Sequence, residues 1–403
     1  MNIFRALGRY LSQLGVAFVL LWMVMFIITF SDSVCSPIIP YIIREFLIDE
    51  SAVVIMLGFL ISTFNLVKTA ANIPGALLGD RIDRSIIVLS SLALLPATFL
   101  LLMLAGNHLW ILGFYILIGI FHGICMPSLN AMVAGLIPIE IRGTSFAIFN
   151  LSWIISGMAA PVVGGFLSER VSLRLPPTLS LILSLTILVF FIVFRRVLGI
   201  SSSPNKPVEK REDAAKPFTR TLLFLCGMQF FSGLGNGILM PIITAFLMYI
   251  IGVSPAEMGL AFSLGWGIAT ALAQIPGGRL SDKFGFKPIL ISSTLAATPL
   301  LILLPFSRNL TQFILITAAA CFIGNLSSPA FSAWIAKLME KHDWSRGYGL
   351  TSASFSIGSI VGPILGSFAW DTFKPNCFPP FALSVLFMLL TLPFLFALGE
   401  GSK

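Results

Sequence analysis

Residues 72–84 read NIPGALLGDRIDR, and residues 274–286 read QIPGGRLSDKFGF. Aligned at Asn72 and Gln274, the stretches lie 202 positions apart and share Ile-Pro-Gly, followed by an acid and a base: Asp80-Arg81 in one, Asp282-Lys283 in the other. Pro127 and Pro329, Pro161 and Pro363, and Gly164 and Gly366 keep the same spacing. Ser36-Pro37-Ile38-Ile39 returns as Met240-Pro241-Ile242-Ile243 at an offset of 204, a two-residue loop change. Chance recurrence of Gly and Pro in a chain rich in both would not hold one register over separate matches, so the chain is read as a duplication.

Each copy is apolar enough to cross a membrane several times. Of 403 residues, 57% are apolar and 10% charged, against about 25% charged in soluble domains, which excludes an ordinary soluble enzyme. A bilayer core about 30 Å thick needs roughly 20 apolar helical residues. Broken at charge and turn clusters, the sequence predicts twelve spans: 11–43, 52–78, 86–106, 109–137, 143–168, 177–196, 218–251, 256–280, 288–306, 309–338, 347–370 and 378–398. The first run follows Arg5 and Arg9 but outlasts a signal-peptide core, so it is read as a span. The fold class expected is an all-α membrane protein, with a six-helix bundle at 1–196, a polar Ser/Pro-rich linker at 197–217 and a second bundle at 218–403.

Basic residues set the expected orientation, because cytoplasmic loops retain them. With the N-terminus inside, nineteen Lys and Arg fall in cytoplasmic segments and only Arg44, Arg170, Arg174, Arg308 and Lys374 on the other side. Both termini are thus expected in the cytoplasm of a multi-pass inner-membrane protein. The net charge of +8 is topological rather than a sign of nucleic-acid binding. Cys35, Cys125, Cys226, Cys321 and Cys377 stand far apart and read as small apolar fillers, with no metal site or disulfide framework expected.

The segment Pro276-Gly277-Gly278-Arg279-Leu280-Ser281-Asp282-Lys283-Phe284-Gly285-Phe286-Lys287 resembles the loop signature of the major facilitator superfamily, and the whole chain is similar to its twelve-helix drug/proton antiporter-like members. The first copy keeps the acid and two arginines but has Ala76, Asp83 and Ser85 where the signature has Gly, Gly and a base. The resemblance implies two parallel-repeat bundles with substrate held between them near the midplane. It also implies latches at Asp80 and Asp282, with Arg81, Arg84, Arg142, Lys283 and Arg346 as basic partners; a solvated positive-inside loop is the plainer reading. Small residues in span 5 (Ser156, Ala160, Pro161, Gly164, Gly165) and span 11 (Gly358, Gly362, Pro363, Gly366) permit close helix approach. The span 5 set partly matches a pattern enriched in exporters of the family. In span 4, Gly119 stands where many antiporters of the family have an Arg.

Two charges remain well inside spans, Asp32 and Lys68, and His122 lies at comparable depth. Such groups face cavities and pair, because unpartnered burial costs several kcal/mol. Asn65 falls on the same helical stripe as Lys68. Asp32, Lys68 and His122 are candidate substrate or proton groups, with Asn236 as the second-half counterpart of Asp32 and Asn65, Asn150, Gln229 and Asn325 as polar contacts. The structural alternatives are a fixed Asp32–Lys68 ion pair and a core histidine. Trp153, Trp266 and Trp334 are read first as packing residues.

The function expected is secondary active transport of a small solute across the cytoplasmic membrane by alternating access, as proton-coupled efflux of small organic or amphipathic compounds. A nutrient facilitator or symporter and a lipid flippase are alternatives on the same fold, and a membrane sensor is one outside transport. A membrane enzyme is disfavoured: three histidines without a metal-binding pattern and no nucleotide loop leave no catalytic signature. The expected partners are a small-molecule substrate, protons and lipid; a cofactor is not expected, and the chain is read as a monomer.

Overall fold

The computed structural model describes residues 2–137, 142–197, 220–338 and 344–398; the segment expected as a linker lies outside them from residue 198 on. The described residues contain no strand. In a bilayer every backbone polar group needs a partner within its own segment, and the helix provides one.

Twelve helices among the described residues are long and apolar enough to cross a membrane: span 1 Gly15–Arg44, span 2 Glu50–Gly79, span 3 Arg84–Met103, span 4 His108–Leu136, span 5 Ile148–Arg170, span 6 Leu175–Arg195, span 7 Arg220–Ile251, span 8 Pro255–Phe284, span 9 Phe286–Phe306, span 10 Leu310–Ile335, span 11 Gly347–Phe373 and span 12 Phe378–Ala397. They match the predicted segments to within a few residues. Within the first helix the backbone breaks at Gly15, whose φ of 69° and ψ of 165° only glycine adopts readily.

Span 1 also breaks near its far end. Pro37 has no N–H and its ring crowds the carbonyl four residues back, that of Ser33. Helix stops at Cys35, and the Ser33 carbonyl accepts instead from the Ser36 N–H (3.3 Å) and hydroxyl (2.9 Å). A short helix, Ile39–Arg44, then resumes. In the second copy the helix runs past Pro241 and ends in a π-helical turn, Phe246–Ile251.

The chain groups into two compact units, one holding residues up to Ser36 and from Val67 through the first half, the other holding Pro37–Leu66 and the second half. Four helix pairings recur in both units. In the first unit span 1 packs on spans 5 and 6, and span 3 on spans 4 and 6; in the second, span 7 packs on 11 and 12, and span 9 on 10 and 12.

Individual contacts recur at the sequence offsets. A Cβ on Gly75 would lie 2.9 Å from the Ile124 Cα, and one on Gly277 would lie 2.9 Å from the Leu326 Cα. A Cβ on Gly164 would fall on the Val34 carbonyl, and one on Gly366 on that of Ile238. The Ser180 hydroxyl donates to the Ser31 carbonyl at 2.7 Å, and the Ser384 hydroxyl to that of Gly235 at 2.8 Å. The duplication is therefore one of packing geometry. Backbone approach this close needs glycine, and dispersion at that distance, with hydroxyl bonds between helices, replaces the hydrophobic driving force that lipid removes.

Candidate functional site

In the first unit Asp32 lies just before the Pro37 break, between two pinned carbonyls: Ser31, held by Ser180 of span 6, and Ser33, held by Ser36. His122 stands on span 4 beside Gly123, against which the Ala71 side chain and the Lys68 carbonyl of span 2 pack so closely that a Cβ at 123 would clash. These constraints bring His122 Nε2 to 2.6 Å from Asp32 Oδ2. Both side chains are partly buried, 18% and 22% exposed, and the Phe121 ring sits edge-on to the imidazole with centroids 5.4 Å apart. An imidazole nitrogen and a carboxyl oxygen this close share a hydrogen bond. The second oxygen, Asp32 Oδ1, is buried with no hydrogen-bond partner, and an orphaned acceptor of that kind requires an explanation.

The other sequence candidates divide. The partner that Asp32 finds is His122, while Lys68, half-buried, places its carbonyl against Gly123 one residue along. Asn65 belongs to the second unit, where its amide donates to the carbonyls of Ile61 (3.1 Å) and Ser359 (3.2 Å) and ties span 2 to span 11. Asn150 is exposed on span 5.

Gln229, Asn236 and Asn325 line one cavity of about 480 Å³ in the second unit, within the 300–1,000 Å³ of small-molecule sites. Asn325 donates to the Thr270 hydroxyl (3.3 Å) and the Cys321 carbonyl (2.8 Å), and Asn236 to the Ser232 carbonyl (2.8 Å). Trp266, read as packing from sequence, also lines the cavity, on an eight-residue π-helical stretch, Ala261–Ile268. Such stretches reorient side chains and concentrate at functional positions. By the repeat register Asn236 answers to Asp32 and Gly324 to His122, and both line the cavity. Where the first half holds a His–Asp pair, the second holds a neutral amide, a glycine and space.

The candidate latch loops differ between copies. Gly285 has φ of 91°, which its counterpart Asp83 avoids at φ of −53°, its carboxylate instead capping the next helix through the Ser85 N–H at 2.8 Å. Departure from the signature at Asp83 thus accompanies a different turn. Arg81, Asp282 and Lys283 are exposed, Arg84 is half-buried, and Lys283 lies over the Phe284 ring. The side chains of Asp80, Arg142 and Arg346 lie outside the described side chains.

Sequence reading missed a cluster in the second unit. Lys374 contacts Glu50 (3.3 Å) and donates to the Ser51 hydroxyl (2.7 Å), and the Trp370 indole donates to Glu50 at 3.0 Å. The start of span 2 is thereby tied to the end of span 11. Further along, Gly58 lies against Ser367 and the Pro363 carbonyl, and Asn65 bonds the carbonyl of Ser359, so the two helices run antiparallel in contact. The available signal was the set of bases that break the positive-inside asymmetry. Among the described residues the side chains of three of the five have a partner: Lys374 as above, Arg44 over the Tyr249 ring and Arg174 on the Leu102 carbonyl.

Comparison with known proteins agrees with this architecture. The Major Facilitator Superfamily profile matches residues 21–227 and again 225–402. The multidrug resistance protein MdtG of Salmonella schwarzengrund (strain CVM19633) is 25% identical over 356 residues, 86% of each chain. That of Klebsiella pneumoniae (strain 342) is 23% identical over 359 residues, 86% of this chain and 85% of the relative. A bacterial homologue of the human lysosomal transporter Spinster, inward-facing and unoccupied, superposes with a TM-score of 0.75 at 18% identity over 96% of each chain. A peptide transporter POT in complex with sulfate gives 0.75 at 17% identity over 95% of this chain and 96% of that one. A double match of one family profile over the two copies, on twelve apolar helices paired alike in each half, assigns the chain to the Major Facilitator Superfamily as a secondary transporter of small solutes and not an enzyme.

Proposed function

We propose that this chain exports small organic or amphipathic compounds from the cytoplasm in exchange for protons, with Asp32 and His122 carrying the proton and the second-half cavity holding the solute. The observation that carries the reading is the 2.6 Å His122–Asp32 contact inside the membrane, with Asp32 Oδ1 buried and unpartnered. Protonation of the carboxyl turns Oδ1 or Oδ2 into a donor and removes the charge that holds the imidazole. Gain or loss of one proton thus changes how span 1 is attached to span 4, and a ligand or proton shifts a two-state equilibrium only through such a difference between states. The likeness to MdtG, a multidrug resistance protein, supports efflux as the direction.

Proteoliposomes loaded with a pH dye test this reading. Substrate-driven proton movement is expected in the native chain and is lost in Asp32→Asn while solute binding is kept; unchanged coupling in Asp32→Asn removes the pair from the mechanism.

Both termini lie in the cytoplasm in this proposal, the bundles at 1–196 and 218–403 are joined by the linker at 197–217, and the chain works as a monomer. Asp80 and Asp282 with Arg81, Arg84, Arg142, Lys283 and Arg346 serve the cytoplasmic gate. Glu50, Lys374 and Trp370 serve the opposite one, since an ion pair present in only one state biases the equilibrium toward it.

A further inference from the structure

We infer that the second-unit cavity selects uncharged, hydrogen-bonding amphipathic molecules of drug size and discriminates against ions of either sign, an inference that rests on the cavity being the solute site proposed above. Among the described residues, no Asp, Glu, Lys, Arg or His lines it. Its polar groups are amides and hydroxyls, among them Gln229, Asn236, Thr298 and Asn325. These supply donors and acceptors in comparable number and no counter-charge. An ion entering such a site gives up water and finds no opposite charge, whereas a neutral molecule exchanges its hydrogen bonds to water for bonds to the wall.

The aromatic lining does not reverse this. The Trp266 face could attract a cation, but that ring already packs edge to face with Phe262, centroids 6.1 Å apart, and one cation–π contact recovers only part of the dehydration. Met228, Met240 and Met388 complete the wall with flexible, polarizable side chains. Such a wall fits varied apolar shapes. The repeat sharpens the point: the two positions answering to the ionisable pair of the first half are Asn236 and Gly324, so this half keeps the place and omits the charge.

Three aryl probes vary the charge: neutral triphenylphosphine oxide, one phenyl group smaller, which accepts hydrogen bonds, and tetraphenylphosphonium and tetraphenylborate, ions of one shape and opposite sign. Equilibrium dialysis with the full chain in nanodiscs, corrected by empty nanodiscs, gives saturable affinities without any gradient. The oxide is expected to bind at least about tenfold more tightly than either ion. Asn236→Ala and Gln229→Leu should each weaken it about fivefold, with the thermal midpoint of the ligand-free protein unchanged. Asn236→Asp should reverse the order in favour of tetraphenylphosphonium. Binding of either ion as tightly as the oxide, oxide binding that neither neutral variant changes, or no saturable oxide binding overturns the inference. Neutral-selective binding with no Asp32-dependent proton movement would leave it standing and remove the proton coupling. Asp32-dependent exchange of tetraphenylphosphonium bound in this cavity would do the reverse.

Discussion

Asp32 and His122 come from helices 90 residues apart in sequence and meet because small, local constraints fix each of them. On one side Pro37 ends the helix and two serine hydroxyls hold the carbonyls flanking Asp32; on the other, Gly123 lets span 2 press against span 4 beside the imidazole. In the proposed coupling the pair acts as a unit, so its two members should not contribute independently. His122→Gln is expected to lower substrate-driven proton uptake by about tenfold, equivalent to about 1.4 kcal/mol, and the Asp32→Asn/His122→Gln double variant to be no worse than Asp32→Asn. Unchanged proton uptake in His122→Gln would show that the carboxyl acts without the imidazole.

Cys377 reports on the Glu50 cluster. It lies in the loop between spans 11 and 12, lining a small recess with Glu50, Trp370 and Lys374. Burial pushes its thiol up from the ordinary value, and the Glu50 carboxylate adds to the rise. A raised thiol shows less thiolate at a given pH and alkylates slowly. Glu50→Gln removes the second cause, so the midpoint of the labelling-versus-pH curve should move down in a Cys226→Ser background, where the remaining cysteines are buried. An unmoved midpoint would place the carboxylate's influence elsewhere.

At the level of helices, the glycine contacts are the firmest consequence of the duplication. Gly164 against Val34 and Gly366 against Ile238 are the same contact in two copies, and each leaves no room for a side chain. Gly164→Val and Gly366→Val should both force the helices apart, each costing about 1–3 kcal/mol or more of stability. Gly157 and Gly349, with open space around their Cβ positions, should accept Ala nearly unchanged. The comparison is made by thermal unfolding in one detergent, and equal effects at all four positions would contradict the packing argument. The antiparallel run of span 2 along span 11 gives a second expectation. Lys374→Met removes the ion pair and the bond to Ser51 but leaves Gly58 seated on Pro363. It should therefore raise the accessibility of a cysteine placed at Ser51 without unfolding the protein, and an unchanged labelling rate would deny the cluster a gating role.

For the molecule as a whole, the repeat predicts that residues 1–196 and 218–403, expressed as separate chains, assemble and transport together. Each half has its own helix pairing, although Pro37–Leu66 packs with the second half and must find it in trans. Loss of both assembly and transport on cutting the linker would mean that the covalent connection is part of the mechanism. Labelling of a cysteine introduced at Ser203 only from the cytoplasmic side checks the orientation.

Amino-acid order alone determined the spans, the duplication and the family resemblance, because lipid demands long uninterrupted apolar helices and because Pro and Gly keep their register when a six-helix unit is copied. It singled out Asp32 and His122 for the same reason, since a polar group at membrane depth is conspicuous. Only the tertiary structure decided that these two pair, that Asn65 bridges helices, that Gln229, Asn236 and Asn325 share a cavity, and that Glu50 meets Lys374. Those facts depend on helix rotation and on which neighbour a glycine admits. Both are set by contacts between segments far apart in the chain, which hydropathy along the sequence does not encode.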